Sequence, residues 1–489
     1  MTTTEELIAR TRKLGIHLWV SEGKLNFRAP RDAISAELKA ELSAHKASLI
    51  DALSGPHFER APEVRAIEVP EAHVLIWNQA MAGLVAYANL TNMLCRFRFP
   101  IDLQALERGL HRLVRRYDVL RCRLLDGEFG YRLVFDCTPG LTTIDLSGRD
   151  PSEVDGALLE AAQQIAWKPF TANECLFRPF AFNLPSSETA IGLVIHHNLV
   201  DGFSFSKIFV NWMMEYERQL GQQSDEDPAD CLQYSDFLRG LIDWTKTANF
   251  QRRMGYWRET LRGAVPSRLP PDRVVDLDAR SAHRGQTFEI DAWRVKRLTE
   301  LSASLQVTLG DVLLAGVVIA LQRERQLSDI CLRHLWHGRD DPRLLDMIGQ
   351  TLIPIMLRVR ASPESRLPDV AREVHRVVLE ATANHVPGHY VETILRESDA
   401  TALVQTNFRM IESADDPSGE NTSGLPPAEP INVWTPHGWF ATPGFLQAHD
   451  INMFVTRDSV RVHIAYLESV YDDETILRFI RRFEQALEH

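Results

Sequence analysis

The stretch HHNLVDG, residues 196–202, places two histidines, a carboxylate and a glycine directly after the apolar run 191–195. A histidine can take a proton from a nucleophile near neutral pH, because its unperturbed pKa is about 6.5. Gly202 precedes a predicted helix, where an unobstructed backbone N–H can donate to a developing oxyanion. The stretch is therefore compatible with acid/base chemistry, with a metal site, or with the packing of two core histidines.

The spacing of the histidines argues against a metal. Neighbouring residues of a strand point to opposite faces, so His196 and His197 cannot both ligate one ion without breaking the strand. We expect no metal here, since neither a cysteine nor a second carboxylate cluster is adjacent in the sequence. The segment DGFSF also lacks the G-x-S-x-G pattern of a serine nucleophile. The residues favour direct attack of one bound substrate on another, with a histidine as general base or positioning group.

Mixed strands and helices surround the stretch. The wholly apolar strand 191–195 is expected at the centre of a sheet. Two regions of similar size, 68–250 and 264–489, predict two α/β lobes with a cleft between them, the usual place for a site. Other predicted elements are the helix 102–117 capped by Asp102, the strand 131–135, the helix after the HHNLVDG stretch, the core helix 311–323, the strand 354–359, the surface loop 412–430 and the hairpin 451–467.

Residues 1–53 read as a separate small unit, joined to the rest by the polar linker 54–67. A capping box of Thr3 and Glu6 opens a short helix, a hairpin with period-two alternation follows, and two further helices complete an αββαα pattern. The hairpin edge could accept a strand from another chain. A purely structural cap on the main body is the alternative.

The composition narrows the kind of partner. Fifty-four basic and 66 acidic residues give a formal net charge of −12, which argues against a nucleic-acid binder. The longest apolar run, 312–321, is too short for a membrane span, and the N-terminus lacks the pattern of a signal peptide. Six scattered cysteines are expected to be reduced thiols. We therefore expect a cytoplasmic protein that contacts neither nucleic acid nor membrane.

His196, His197, Asp201 and Gly202 resemble the HHxxxDG signature of the condensation domains of nonribosomal peptide synthetases. The resemblance extends over about four-fifths of the chain. It departs from the family pattern at 71–80, at 348–358, and after YSDF at 234–237, where the family's later Trp is missing. Further stretches that resemble family motifs are RRYDVLRCRL at 115–124, YSDF at 234–237, YW at 256–257, MIG at 347–349 and NHVP at 384–387.

The resemblance implies a fold and a set of roles. The fold would be two chloramphenicol-acetyltransferase-like lobes that form a V-shaped pseudo-dimer around a central cleft. His197 would be the catalytic histidine and His196 would support its strand. Asp201 would be structural and ion-paired to an arginine of the other lobe, for which Arg339 is the candidate, although a plain surface charge is an alternative. Gly202 would give the substrate or oxyanion access to the backbone.

Residues 1–53 resemble the β-hairpin docking domains that capture the C-terminal tail of an upstream synthase protein. His17, Trp19, Lys24 and Arg28 are candidates for contacting such a tail, and the two cations suit an acidic one. The sequence contains neither a recognisable phosphopantetheine-attachment serine nor an adenylation loop. The resemblance thus implies that the chain binds no cofactor and that its substrate arrives on the phosphopantetheine of an acyl or peptidyl carrier protein.

The layout resembles that of stand-alone condensation enzymes that release a chain from a polyketide or nonribosomal peptide assembly line. It implies transfer of a carrier-bound acyl thioester to an alcohol or amine acceptor. One alternative is a free-standing acyltransferase that uses acyl-coenzyme A, and another is a silent docking scaffold. An epimerization-type domain is suggested by LWHGRDD at 335–341, but Trp336 stands where that motif has its first Glu.

Overall fold

The computed structural model describes residues 4–14, 16–21, 24–30, 33–53, 55–56, 58–60, 65–69, 90–127, 130–171, 173–221, 231–264, 267–274, 281–339, 341–398, 406–412, 428–431, 440–441, 449–456 and 458–488. Thr3 of the predicted capping box and the degenerate stretch 71–80 lie outside these residues. The fold is mixed α/β throughout, with three separate apolar cores.

The N-terminal unit has the predicted αββαα order. The antiparallel hairpin places Trp19 opposite Asn26, and a small core that includes Leu7, Leu18 and Leu49 holds the helices against it. Its elements are α1 (Thr4–Lys13), β1 (His17–Ser21), β2 (Lys24–Arg28), α2 (Ala36–Ala44) and α3 (Lys46–Leu53).

The first lobe is built on a sheet in which β4, β9, β8 and β7 are neighbours in that order. Its elements are β3 (Ala66–Glu68), β4 (Leu90–Phe97), α4 (Leu103–Arg116), β5 (Cys122–Gly127), β6 (Gly130–Phe135), β7 (Thr142–Asp145), α5 (Val154–Ala166), β8 (Phe177–Asn183), β9 (Thr189–His196), α6 (Gly202–Gln219), α7 (Tyr234–Thr245) and α8 (Ala248–Thr260). Every residue of β9 is buried, which confirms the prediction of a central strand. Asp102 caps α4 as predicted, because its side chain accepts from the backbone N–H groups of Gln104 and Ala105.

The cysteine prediction is wrong for one pair. Cys137 and Cys175 form a disulfide within the first lobe, across Cα atoms 5.9 Å apart. The other four cysteines are buried free thiols. The scattered sequence positions gave no indication of this pair, since 38 residues separate its members.

The second lobe carries a sheet with the strand order β12–β11–β13–β16–β17–β10–β15. Its core forms between this sheet and the fully buried side of α10, where Gly316 approaches the Phe483 ring of α13. Its elements are β10 (Ser281–Ile290), α9 (Ala292–Leu305), α10 (Leu309–Arg325), β11 (Asp329–Trp336), β12 (Ile353–Arg360), α11 (Leu367–Ala383), α12 (Gly388–Ser398), β13 (Thr406–Glu412), β14 (Glu429–Pro430), β15 (Phe440–Ala441), β16 (His449–Val455), β17 (Val460–Leu467) and α13 (Asp473–Glu488).

The two lobes exchange elements across the predicted boundaries. The short strand β14 leaves the second lobe and pairs antiparallel with β4 of the first, where Arg98 donates two hydrogen bonds to Glu429, at 2.7 and 2.8 Å. In the other direction, α8 packs Phe250 and Trp257 into the core of the second lobe. The prediction of a surface loop over 412–430 is therefore wrong at its ends, because Glu412 belongs to β13 and Glu429 to β14.

The N-terminal unit rests on the body of the protein. Helix α1 contacts α11 of the second lobe. Arg252 of α8 forms an ion pair with Asp51, and Arg253 donates to the carbonyl oxygen of Ala52 at 3.2 Å. The hairpin is thus carried on an anchored unit.

Among the residues that the structure describes, no single helix is long and apolar enough to cross a membrane. Helices α9 and α10 pass the same test of length and composition only as a pair, and they are bent by 103° at the break between them.

Candidate active site

His196 is the last residue of the central strand β9, and its side chain is buried. Its Nδ1 accepts a hydrogen bond from the backbone N–H of Asn198 at 3.2 Å, which turns the chain into the short 3₁₀ segment His197–Leu199. Burial, with a smaller contribution from the neighbouring His197, lowers the pKa of His196 to about 3. This histidine is therefore neutral at pH 7 and holds the end of the strand.

His197 lies one residue beyond the strand, not within it as the sequence pattern predicted. The residue His197 is exposed to solvent. Protein atoms nevertheless surround its imidazole closely enough to disfavour the charged imidazolium form. Desolvation, and next the charge of Arg409 from the second lobe, lower the pKa of His197 to about 4, against a smaller opposite effect of Asp201. His197 is therefore a neutral imidazole at pH 7 that a substrate can reach.

Asp201 caps the helix α6 and joins the two lobes. One carboxylate oxygen accepts from the backbone N–H of Ser204 at 2.8 Å. The other accepts from the backbone N–H and hydroxyl of Thr351 in the second lobe, at 3.1 and 2.9 Å. Arg339 donates to the same oxygen from Nη2 at 3.1 Å, and both side chains of this ion pair are about 5% exposed or less. The structure thus pairs Asp201 with Arg339, whose side chain is buried and not a surface charge.

Ser204 was not singled out from the sequence, although it shares this network. Its hydroxyl donates to the carbonyl oxygen of Gly349 at 2.8 Å and accepts from the N–H of the same residue at 3.0 Å. Arg339 also donates to the Ser204 hydroxyl, at 2.7 Å. The signal that could have found it was its position three residues after the capping Asp201, where a buried polar side chain needs partners.

Gly202 is the first residue of α6, and a Cβ built there would meet nothing within 4 Å. The neighbouring Phe203 is 53% exposed, and its ring lies 4.8 Å from the guanidinium carbon of Arg339. The backbone at Gly202 is therefore not crowded by neighbouring side chains. An acyl group can approach the start of the helix there, where backbone N–H groups favour negative charge.

The other motif-like stretches meet in pairs. Asp118 of RRYDVLRCRL accepts from the backbone N–H groups of Tyr234 and Ser235 in YSDF, at 3.0 and 3.1 Å. Trp257 of YW donates from its ring nitrogen to the carbonyl oxygen of Asn384 in NHVP, at 2.8 Å. These contacts fix the helices α7 and α8 beside the lobe junction.

The four docking candidates lie on the hairpin, far in sequence from this site. Trp19 is half-buried on β1 and Lys24 is exposed on β2. His17 and Arg28 pair across the two strands, and their side chains lie outside what the structure describes. Within the described part of the chain, His, Cys, Asp and Glu side chains form no group of three or more that could hold a metal ion.

Two α/β lobes that meet at an HHxxxDG stretch define the chloramphenicol-acetyltransferase-like class. Residues 75–489 match the Condensation domain family, and residues 4–54 match the TubC N-terminal docking domain. The chain belongs to the condensation domain family, whose members form amide or ester bonds, and it carries an N-terminal docking domain.

Solved structures share the fold over nearly the whole chain. The structure described as the molecular basis for condensation domain-mediated chain release from the enacyloxin polyketide synthase is 18% identical, with a TM-score of 0.68, covering 100% of this chain and 96% of that one. The EpoB cyclization-docking bidomain from Sorangium cellulosum is also 18% identical, with a TM-score of 0.72, covering 99% and 96%. These likenesses establish the two-lobed fold together with the N-terminal unit.

Curated relatives are much longer proteins. A linear gramicidin synthase from Brevibacillus parabrevis is 24% identical over 80% of this chain, which spans 8% of that protein. Bacitracin synthase 2 from Bacillus licheniformis is 22% identical over 99% of this chain, which spans 18% of that protein. The match thus concerns one unit of these large synthetases.

Proposed function

We propose that this protein transfers an acyl group from a carrier-protein thioester to an alcohol or amine, as a stand-alone enzyme that releases the chain from its assembly line. The observation that carries the proposal is the neutral, exposed His197, which lies in the same HHxxxDG stretch as the uncrowded backbone of Gly202. The likeness to a chain-releasing condensation domain is consistent with release as the reaction.

The chemistry assigns one task to each group. The acceptor hydroxyl attacks the thioester carbonyl carbon while His197 takes the hydroxyl proton, and the carbon–sulfur bond then breaks as the proton passes to the departing thiolate. The N–H at Gly202 stabilises the transient oxyanion. Asp201 and Arg339 hold α6 at the lobe junction and do not touch the reacting atoms.

An alcohol depends on the base more than an amine does. An amine whose pKa is about 8 is partly neutral at pH 7 and attacks without losing a proton first, whereas an alcohol stays protonated. The proposal therefore predicts that removal of the His197 imidazole affects ester formation more than amide formation.

The docking domain supports delivery of the donor by other proteins. In the proposal, an upstream synthase protein binds the β1–β2 hairpin through its C-terminal tail, and a carrier protein presents the acyl chain on its phosphopantetheine arm in the cytoplasm. Phosphopantetheine is then part of the substrate, and the chain itself binds no cofactor.

The deciding experiment incubates the protein with an acyl-loaded carrier protein and a panel of alcohols and amines, with the product detected by mass spectrometry. His197→Ala is expected to lower ester formation roughly 100- to 10,000-fold, the usual contribution of a positioned general base. His111→Ala, at an exposed histidine of α4, is the matched control and is expected to keep full activity. Full activity of His197→Ala would overturn the mechanism.

Recruitment is tested separately. Lys24→Glu reverses an exposed charge on β2, and Lys39→Glu does the same on α2, away from the hairpin. The first variant is expected to weaken transfer from carriers of the docking partner, and the second is not. Equal transfer from acyl-coenzyme A and from the carrier, unaffected by Lys24→Glu, would instead support a free-standing acyltransferase.

A further inference from the structure

The sheet of the second lobe has two unlike faces. Toward α10 and α13 it presents apolar side chains such as Ile451 and Met453. The opposite face carries a group of polar side chains, which the alternation along each strand places there. The group consists of Arg333 on β11, Asn407 and Arg409 on β13, Asp450 and Asn452 on β16, and His463 on β17, and the apolar Phe454 lies on the same face.

The strand register arranges these side chains in two rows. Arg333, Asn407 and Asp450 are partners across β11, β13 and β16. In the next row, Arg409 is the partner of Asn452, and its Nε donates to the Asn452 Oδ1 at 2.8 Å. Solvent reaches part of each charged residue in these rows, namely Arg333, Arg409 and Asp450. The polar face is therefore open to a ligand, and not a sealed core.

The two rows across β11, β13 and β16 carry more positive than negative charge. In these rows Arg333 and Arg409 accompany one carboxylate, Asp450, and burial raises the pKa of Asp450, which weakens it as a counter-ion. Within the part of the chain that the structure describes, Arg409 belongs to no ion pair, and its side chain donates to the neutral amide of Asn452. Desolvation lowers the pKa of Arg409 against a smaller opposite effect of the Asp450 charge, so burial of the guanidinium is costly unless a further anion joins it.

Arg409 lies on the strand next to the one that leads to the site. Strand β13 runs parallel to β11 with Phe408 opposite His334, and the chain after β11 leads to Arg339, the partner of Asp201. The charge of Arg409 also disfavours the imidazolium form of His197. Because Nε is held by Asn452, the two Nη groups present the end of the guanidinium fork, which matches a carboxylate. The buried Oδ1 atoms of Asn407 and Asp450 also have no hydrogen-bond partner, among the described residues, and could accept from a polar group of the same ligand.

We propose that Arg409 binds the carboxylate of the acceptor, so that the acceptor is a small free amino acid or hydroxy acid. This inference rests on the proposed acyl transfer and narrows its second substrate. A carrier-bound acceptor has no free carboxylate at this end, because its carboxyl carbon is already in the thioester. Stabilisation of the reaction's oxyanion by Arg409 is the competing assignment, and it would not depend on an acceptor carboxylate.

Binding of acids and their esters separates these assignments without requiring turnover. The probes are β-alanine, 3-hydroxybutyrate and 3-aminobenzoate, each with its methyl ester, titrated calorimetrically into the full-length protein. At least one acid should bind more tightly than its ester, and Arg409→Gln should weaken that acid roughly 10- to 100-fold and leave the ester unchanged. Arg409→Lys should recover part of the loss, since it keeps the charge without the fork.

Arg461→Gln is the matched control. Arg461 lies on β17 of the same sheet, is 64% exposed and pairs with Glu289 at 3.7 Å, so acid binding should not change. Absence of any acid preference in the natural protein, or acid binding that survives Arg409→Gln, would overturn the inference. If Arg409→Gln lowers acyl transfer equally to acids and to their esters, Arg409 stabilises the oxyanion instead of binding an acceptor carboxylate. Acid binding without transfer from any carrier would count against the proposed function and leave the carboxylate site standing.

Discussion

The ion pair between Asp201 and Arg339 should be the polar contact between the lobes that costs most stability when one partner is removed. Both side chains are almost fully buried, and Arg339 also donates to the carbonyl oxygens of Met347 and Gly349. Arg339→Met leaves the buried carboxylate without its cation, and Asp201→Asn leaves the cation without its carboxylate. Each change should cost about 3–5 kcal/mol in free energy of unfolding, because one uncompensated buried charge remains.

The double variant tests the reasoning. Asp201→Asn with Arg339→Met removes both charges, so its loss should be smaller than the sum of the single losses by about 2 kcal/mol. Urea unfolding followed by tryptophan fluorescence measures all three variants. Arg98→Met, at the exposed interlobe contact with Glu429, is the control and should have a much smaller effect. Additive single losses would show that the two charges do not stabilise each other, and would refute the argument.

Four further predictions concern the site and its supports. Since a base acts when deprotonated and the pKa of His197 is lowered, kcat/KM for an alcohol should stay flat from about pH 8 down to about pH 5.5; a midpoint near 6.5 would contradict this. Gly349→Ala should destabilise the fold by about 1–3 kcal/mol in urea unfolding, because its Cβ would lie 2.3 Å from the Tyr234 ring. Gly202→Ala should leave the stability unchanged, because its methyl group meets no neighbouring atom. It should slow acyl transfer, because the methyl group would occupy the space through which the acyl group approaches the Gly202 N–H. Asp118→Ala should cost about 2–3 kcal/mol in the same unfolding assay by releasing the start of α7, and an unchanged midpoint would exclude that role.

Local patterns predicted much of the fold. The Asp102 cap, the apolar run of β9 and the final hairpin follow from side-chain alternation and capping, which act over a few residues. The same holds for the αββαα order of the N-terminal unit. These features depend on neighbours in sequence, so the sequence alone specifies them.

Features that depend on contacts between distant parts of the sequence could not be predicted from local patterns. The crossing strand β14 and the Cys137–Cys175 disulfide join positions that no periodicity connects. Arg409 was missed for the same reason. It stands in an ordinary strand pattern, and its importance comes from the register that places Asn452 beside it and from the effect of its charge on His197 of the first lobe. The position of His197 beyond the end of its strand depends on the hydrogen bond between His196 and Asn198. The secondary-structure propensities of the residues do not predict this bond.

The anchoring of the N-terminal unit on α8 and α11 has a consequence for the kinetics of delivery. A tail bound to a hairpin on a freely swinging linker would sample a wide volume, whereas Asp51 and Ala52 hold this hairpin to the body. The effective concentration of a tethered carrier at the reaction centre would then be set mainly by the partner's own linker. It would reach the millimolar range for a short flexible linker and fall roughly as the −3/2 power of longer ones.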